Sequence, residues 1–272
     1  MLPDLRTFTL FAGPCVLEDE GLNLAVARAV ASAAGKAGLP VVFKASFDKA
    51  NRSRLGSARG PGMERGLELL ATVRAETGLP VLTDIHEASQ AGPVAEVADV
   101  LQIPAFLCRQ TSLLVAAGKT GRAVNVKKGQ WMNPGAMAGA VEKVRSGGAS
   151  QVTVTERGSA FGYGDLVVDM RNFARIREVA GVPVIFDGTH SVQTPGTSPD
   201  GSTGGSPEHT RALVRGAVAA GCDGLFLEAH PDPASAPSDG SNMLPLGDLA
   251  SLLQEVSAIR GALRARAASE RV

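Results

Sequence analysis

Residues 38–45 read Gly38-Leu39-Pro40-Val41-Val42-Phe43-Lys44-Ala45, and residues 78–84 read Gly78-Leu79-Pro80-Val81-Leu82-Thr83-Asp84. Each stretch opens on a Gly-x-Pro turn, continues as a nearly unbroken apolar run and carries an ionisable side chain at or next to its end. Such runs suit parallel strands covered by helices outside and by packed side chains inside. The form returns at Gly181-Val182-Pro183-Val184-Ile185-Phe186-Asp187. Working outward, the strands expected are Thr7–Ala12, Pro40–Ala45, Pro80–Asp84, Val100–Ile103, Ala123–Val126, Val152–Thr155, Pro183–Phe186 and Gly224–Leu227. Between them lie helical patterns such as Leu22–Gly35, Glu64–Thr77, Ala136–Arg145 and Pro207–Ala220, with a last helix over about Leu246 to Ala267. Strand–helix units follow one another with no linker or composition break. They predict an α/β chain folded as one (β/α)8 TIM barrel domain over residues 1–272, near the roughly 250 residues usual for that fold. A doubly wound open sheet is the alternative, but the first strand lacks the GxGxxG turn expected of it.

Composition narrows the function classes. A hydrophobic fraction of 44% supports a large core, and 27 basic against 27 acidic residues leave no net charge. Nothing in that balance argues for a nucleic-acid or membrane surface, and no apolar run approaches the roughly 18 residues of a membrane span. Met1 to Leu10 lacks a signal peptide's basic and apolar regions. The odd count of cysteines (Cys15, Cys108, Cys222) fits a reducing compartment. A cytoplasmic protein is expected.

The functional signal lies in where the polar residues fall. The ends of the expected strands carry Cys15, then Lys44 and Lys49, then Asp84 and His86, then Gln102 and Arg109. Lys127 and Lys128, Glu156 and Arg157, Asp187 and His190, Glu228 and His230 follow in turn. In a barrel those ends converge on one mouth, and buried charge is costly unless paired or ligand-bound. Lys44, Lys49, Arg52, Arg59, Lys127 and Arg157 would repel one another unless anions neutralised them, so small phosphorylated substrates are expected. Lys44 and Lys127 also raise the rival of a Schiff-base aldolase. Two long loops, 51–62 and 194–205, stand over the same mouth, and the second has the Gly/Ser/Thr/Pro composition of a lid.

A second constellation comprises Cys15, His190, Glu228 and Asp239. The first, seventh and eighth strands neighbour each other in a closed barrel, so these donors can converge. A mixed S/N/O set suits a divalent transition ion such as Zn, Fe, Mn or Co. The bland reading of a lone Cys is a small buried hydrophobe, which suits Cys222 and, more ambiguously, Cys108. His209 reads as helix surface. His86 and His230 read as substrate contacts or as members of a polar network.

These runs resemble a family. Gly13-Pro14-Cys15, Phe43-Lys44-Ala45-Ser46-Phe47-Asp48-Lys49-Ala50-Asn51-Arg52-Ser53, Thr83-Asp84-Ile85-His86-Glu87 and Gln102-Ile103-Pro104-Ala105-Phe106-Leu107-Cys108-Arg109-Gln110-Thr111 are similar to those of the 3-deoxy-D-manno-octulosonate 8-phosphate (KDO 8-phosphate) synthases. So are Asn125-Val126-Lys127-Lys128-Gly129-Gln130, Thr155-Glu156-Arg157-Gly158, Asp187-Gly188-Thr189-His190-Ser191-Val192-Gln193 and Glu228-Ala229-His230-Pro231. The resemblance implies a transferase that condenses phosphoenolpyruvate with D-arabinose 5-phosphate, a step toward the inner-core sugar of lipopolysaccharide. It implies that Lys44, Lys49, Gln102, Ala105, Lys127 and Arg157 hold phosphoenolpyruvate, with Lys127 and Arg157 on its phosphate. Asn51, Arg52 and Ser53, with Arg59 nearby, would hold the pentose phosphate, and Asp84 and His86 would line the reaction centre. It implies the metal-dependent branch through Cys15, with His190, Glu228 and Asp239 as the other ligands, and a homotetramer. Catalytic work is expected of Lys49, Asp84, His86, His190 and Asp239. A sibling synthase taking erythrose 4-phosphate is the alternative, against which the Asn51-Arg52-Ser53 segment argues. The chain departs from the family pattern at Arg54, at Trp131-Met132-Asn133 and across the loop Thr194–Gly205.

Overall fold

The computed structural model describes residues 1–52, 54–161, 164–197 and 203–269. Among these, eight parallel strands close on themselves: β1 (Thr9–Gly13), β2 (Val41–Lys44), β3 (Val81–Asp84), β4 (Val100–Ile103), β5 (Ala123–Lys127), β6 (Val152–Glu156), β7 (Val184–Asp187) and β8 (Gly224–His230). Sequential neighbours pair in register, and β8 returns to β1 with Thr9 opposite Gly224 and Gly13 opposite Glu228. The helices between and after them are α1 (Glu20–Lys36), α2 (Met63–Thr77), α3 (Ala91–Val97), α4 (Thr111–Lys119), α5 (Met137–Gly147), α6 (Asn172–Ala180), α7 (Thr210–Ala219) and α8 (Leu249–Ser269). No helix among the described residues is long and apolar enough to cross a membrane.

Alternation along the strands divides the core in two. Outward residues such as Leu10, Ala12, Phe43, Val81, Leu101 and Val124 join the helices in the larger cluster. Inward ones (Phe11, Val42, Leu82, Val100, Ala123, Ile185 and Phe226), with Leu5 from the N-terminal segment, form a separate plug inside the barrel. Two residues beyond several plug residues stands a buried polar one: Val42 then Lys44, Leu82 then Asp84, Val100 then Gln102, Ala123 then Asn125 and Lys127, Ile185 then Asp187, Phe226 then Glu228. The mouth is therefore the period-two continuation of the plug.

Strand edges differ by one to three residues from the sequence reading, for chemical reasons. Pro40, Pro80 and Pro183 have no N–H for the ladder and fall just before the strands. Their carbonyls still accept from Leu10, Phe43 and Val154. β8 extends three residues past Leu227 because Ala229 and His230 gain a parallel partner in Leu244–Pro245. Pro207–His209 and Leu246–Asp248 are single 3-10 turns leading into α7 and α8, rather than parts of those helices.

Candidate active site

The mouth rests on a belt of hydrogen bonds across four strands, β3 to β6, closed by Ser46 just beyond β2. The hydroxyls of Thr153 and Thr155 both donate to Asn125 Oδ1 at 2.8 Å, and Asn125 Nδ2 donates to Gln102 Oε1 at 2.7 Å. Gln102 Nε2 in turn donates to Asp84 Oδ1 at 2.6 Å, and Ser46 Oγ donates to Asp84 Oδ2. Every member is buried, so the belt fixes which end of each amide faces which neighbour. Burial alone would raise the Asp84 carboxyl, but Lys44, Lys49 and His86, with the Ser46 bond, hold it below its ordinary range. It is an anion that orients Gln102.

The lysines stand on an aromatic floor. Lys127 Nζ lies 3.6 Å from the centroid of the Phe226 ring, and Lys44 Nζ 5.3 Å from it, so the ring's negative face supports two ammonium groups. Lys127 Nζ donates to Asp187 Oδ2 at 2.6 Å and lies 3.3 Å from His190 Nδ1. Lys44 Nζ donates to Glu228 Oε1 at 2.5 Å and to the Cys15 carbonyl at 2.9 Å, both partners being 1% exposed in the ion pair. Here the sequence reading needs correction. Its six cations were expected to require external anions, yet Lys44 and Lys127 already hold internal carboxylates. Arg59, too, is paired, with Asp48 at 2.6 Å on an exposed part of its loop. Lys49 is half-buried. Desolvation opposes its charge, but the Glu228, Asp84 and Asp239 carboxylates outweigh it and hold the ammonium well above its ordinary pKa. Arg157 donates Nη2 to the His190 carbonyl at 3.1 Å and to Gln193 Oε1, while its Nη1 is buried without a partner. A buried, unmatched guanidinium N–H is costly unless a ligand accepts from it.

Cys15, Glu228 and Asp239 place donor atoms within 4.8 Å of one another, with Cys15 Sγ 3.2 Å from Asp239 Oδ2. The fourth expected ligand, His190, stands just outside this trio, its Nε2 3.5 Å from Glu228 Oε2. Its Nδ1 is bonded to Asp187 Oδ2 at 2.8 Å, which leaves Nε2 as the nitrogen turned toward the group. A carboxylate on the far ring nitrogen is the usual support of a metal-binding histidine. Burial and the nearby Glu228 push the Cys15 thiol far up, so without a cation it keeps its proton. Asp239 is the one non-glycine with positive φ among the described residues, at 55°. That conformation is tolerated by Asp but uncommon, and it aims the carboxylate at Cys15 and Ser238. Three acidic donors gathered with one open imidazole nitrogen fit a divalent ion of mixed S/N/O preference.

The remaining expected residues fall unevenly. Arg52 reaches the Asp239 loop, donating Nη1 to Ser238 Oγ at 2.6 Å with its Nε unpartnered. His86 packs edge-on against Phe47, its Nδ1 buried and free. Ala105 is buried at the foot of a 3-10 turn after β4, and Asn51 is exposed. Ser53 lies outside the described residues, as does 198–202 of the expected lid; the base of that lid is pinned by Thr194 pairing with Gly204. His230 belongs to a polar network, bonded to Glu18 and to the Asp232 carbonyl. Lys128 and Glu156, counted at the mouth from sequence, point away from it. They form a fully buried ion pair at 3.4 Å, with Lys128 also donating to the Gly158 carbonyl and Glu156 accepting from Asn172. Lys128→Ala is expected to cost about 3 kcal/mol or more in urea unfolding, because one partner of a buried pair is left alone. The sequence reading missed Phe226, Gln193 and Ser238. Phe226 looked like plain strand core, and Gln193 meets its partners, 36 and 46 residues away in the chain, only through the fold.

A family model described as the DAHP synthetase I family matches residues 4–264. The chain is 58% identical over 254 residues to the 2-dehydro-3-deoxyphosphooctonate aldolase of Nitratidesulfovibrio vulgaris, covering 93% of this chain and 92% of that protein. It is 55% identical to the protein of the same name from Syntrophotalea carbinolica, over 92% of this chain and 90% of the relative. With that of a Synechococcus strain the identity is 54%, over 94% and 89%.

Proposed function

From the premise that the chain belongs to the DAHP synthetase I family, and within it to the 2-dehydro-3-deoxyphosphooctonate aldolases, we infer that it is a transferase making KDO 8-phosphate. It condenses phosphoenolpyruvate with D-arabinose 5-phosphate and water, and releases inorganic phosphate. The observation that carries this reading is the convergence of Lys44, Lys49, Lys127 and the open Nη1 of Arg157 on one mouth. Lys127 and Arg157 hold the phosphate of phosphoenolpyruvate, Lys44, Lys49, Gln102 and Ala105 its carboxylate end, and Asn51, Arg52, Ser53 and Arg59 the pentose phosphate. Alignment of two anionic reactants on fixed cations supplies a large part of the rate, up to about 7–11 kcal/mol in ideal cases.

The enol carbon of phosphoenolpyruvate attacks the aldehyde of the open-chain pentose phosphate. Water adds at the neighbouring carbon, and the hemiketal phosphate so formed loses phosphate by C–O cleavage. Lys49, held protonated by the acids around it, is placed to give a proton or a hydrogen bond to the developing alkoxide. Asp84 and His86 line that centre, and Asp239 is the group placed to take a proton from water; His190, with Nδ1 on Asp187 and Nε2 turned toward the ion's ligands, has no ring nitrogen free for that step. Cys15, His190, Glu228 and Asp239 would hold a divalent ion (Zn, Fe, Mn or Co), which would supply Lewis-acid chemistry at the reaction centre. The enzyme works as one barrel domain in the cytoplasm on small phosphorylated substrates, assembled as a homotetramer, without nucleic-acid or membrane partners. Arg52 donates to Ser238 beside Asp239, and the resemblance of the Asn51-Arg52-Ser53 run supports this aldose over erythrose 4-phosphate, a carbon shorter.

The test is phosphate release from phosphoenolpyruvate with arabinose 5-phosphate against erythrose 4-phosphate, before and after chelation. At least a hundredfold preference for the pentose is expected, lost on chelation and restored by a divalent ion. Preference for the tetrose overturns the substrate assignment, and undiminished activity after chelation overturns the metal.

A further inference from the structure

Gln193 occupies a position that neither its exposure nor its place in the chain would single out. It is half-buried at the start of the ladder that pins the lid, paired with Gly205. Its Oε1 accepts from Arg157 Nη2, and its Nε2 donates to Asp239 Oδ1 at 3.0 Å. The amide is thus a spacer of matched polarity between a cation and an anion. Turned over, it would set its NH2 against the guanidinium and its oxygen against the carboxylate, so its orientation is fixed.

The two ends of the spacer belong to different sites. Arg157 keeps one donor, Nη1, buried and unpartnered, which is the donor open to a phosphate. Asp239 turns its other oxygen, Oδ2, toward Cys15 and Ser238. The side chains therefore form one unbroken line: open donor, guanidinium, amide, carboxylate, metal-ligand group. We propose that Gln193 is a positioning residue that couples phosphoenolpyruvate binding to metal binding, each ligand fixing one end of the Arg157–Gln193–Asp239 line and so assisting the other. The inference rests on the functional reading above and assigns it a new residue. A phosphate on Nη1 immobilises Arg157, which holds Gln193, which holds Asp239 in its strained conformation. A cation on Asp239 does the same in reverse. The second ligand then meets side chains already ordered and loses less conformational freedom, and linkage requires both effects to be equal.

The experiment measures the Zn²⁺ dissociation constant of the metal-free protein against a chromophoric chelator, with and without saturating phosphoenolpyruvate. The phosphoenolpyruvate affinity is then measured with and without Zn²⁺. Wild type should show the same tightening in both directions. If wild type binds neither ligand, the functional reading fails, independently of Gln193. In Gln193→Met, both ligands should still bind while the mutual tightening shrinks by about fivefold or more, the scale of ordinary couplings. Direct attraction between the two ligands survives in that variant, so a remainder is expected. Gln193→Glu serves as the second variant. Its carboxylate cancels the Arg157 charge and crowds Asp239, so phosphoenolpyruvate should weaken while Zn²⁺ holds as well or better. Shifts of opposite sign do not arise from general damage to the fold. An unchanged coupling factor in Gln193→Met, or parallel weakening of both ligands in Gln193→Glu, overturns the proposal.

Discussion

Lys127→Met is expected to lower kcat/KM for phosphoenolpyruvate by about a thousandfold, with a smaller loss of stability. Two consequences combine. The substrate phosphate loses one of its two cations, and Asp187, wholly buried, loses the ammonium that approaches it to 2.6 Å. Removing a charged, hydrogen-bonded contact to a bound anion costs roughly 2–5 kcal/mol of binding, and about 4 kcal/mol is three decades of rate. Lys127→Arg is expected to rescue little. The ammonium stands 3.6 Å above Phe226, and a planar fork does not replace a compact charge in that position. Burial lowers the pKa of Lys127, against the opposing pull of Asp187 and Glu228. The cationic form grips phosphate, so kcat/KM in wild type should decline at an alkaline pH below the ordinary lysine range, since kcat/KM reports the free enzyme. The same lowered pKa would suit a Schiff-base lysine. Phosphoenolpyruvate is already an activated enol, so borohydride added with both substrates should trap no adduct on Lys127 or Lys44. A trapped adduct, or a Lys127→Met variant with wild-type kcat/KM, removes the phosphate role.

The site was legible in sequence to the extent that local rules govern it. A strand whose inward residues run Val42, Lys44 or Ile185, Asp187 announces both the plug and the polar mouth above it, because side chains alternate with period two. The same rule, applied one step further, would have placed Lys128 and Glu156 correctly. Lys127 and Lys128 cannot both face the mouth, nor can Glu156 and Arg157, and the structure sends one of each outward into a buried pair. What no local rule gives is pairing across the barrel. Lys44 meets Glu228 from 184 residues away, and Lys127 meets Asp187 from 60. Cations that looked unneutralised in the sequence were matched by acids on strands that only closure brings near. Gln193 escaped notice for the same reason, since its two partners, Arg157 and Asp239, lie on either side of it in the chain and meet it only in the fold.

Cys15→Ala should remove bound metal and activity together, each by at least about a hundredfold, which exceeds the 10–100-fold loss usual for mutating a supporting residue around a metal site. Without a cation the thiol keeps its proton, because it is buried beside Glu228 and 3.2 Å from the Asp239 carboxylate. Metal must therefore displace that proton, and binding releases it to solvent. Apparent metal affinity should then rise about tenfold per pH unit through neutrality in wild type. In Cys15→Ala the thiol's share of that slope should vanish. Cys15→Asn separates the ion's electrostatic role from the rest of the site. An amide at this position can hydrogen-bond Asp239 without demanding a counter-charge, and Lys49, held protonated by the same acids, remains to supply positive charge. Cys15→Asn is thus expected to bind little metal and yet recover a measurable part of the activity lost in Cys15→Ala, insensitive to chelator. Metal content by elemental analysis, read beside phosphate release in the same samples, decides the matter. A Cys15→Ala protein with full turnover and no bound ion would show that the cluster of Cys15, Glu228 and Asp239 serves the fold rather than the reaction.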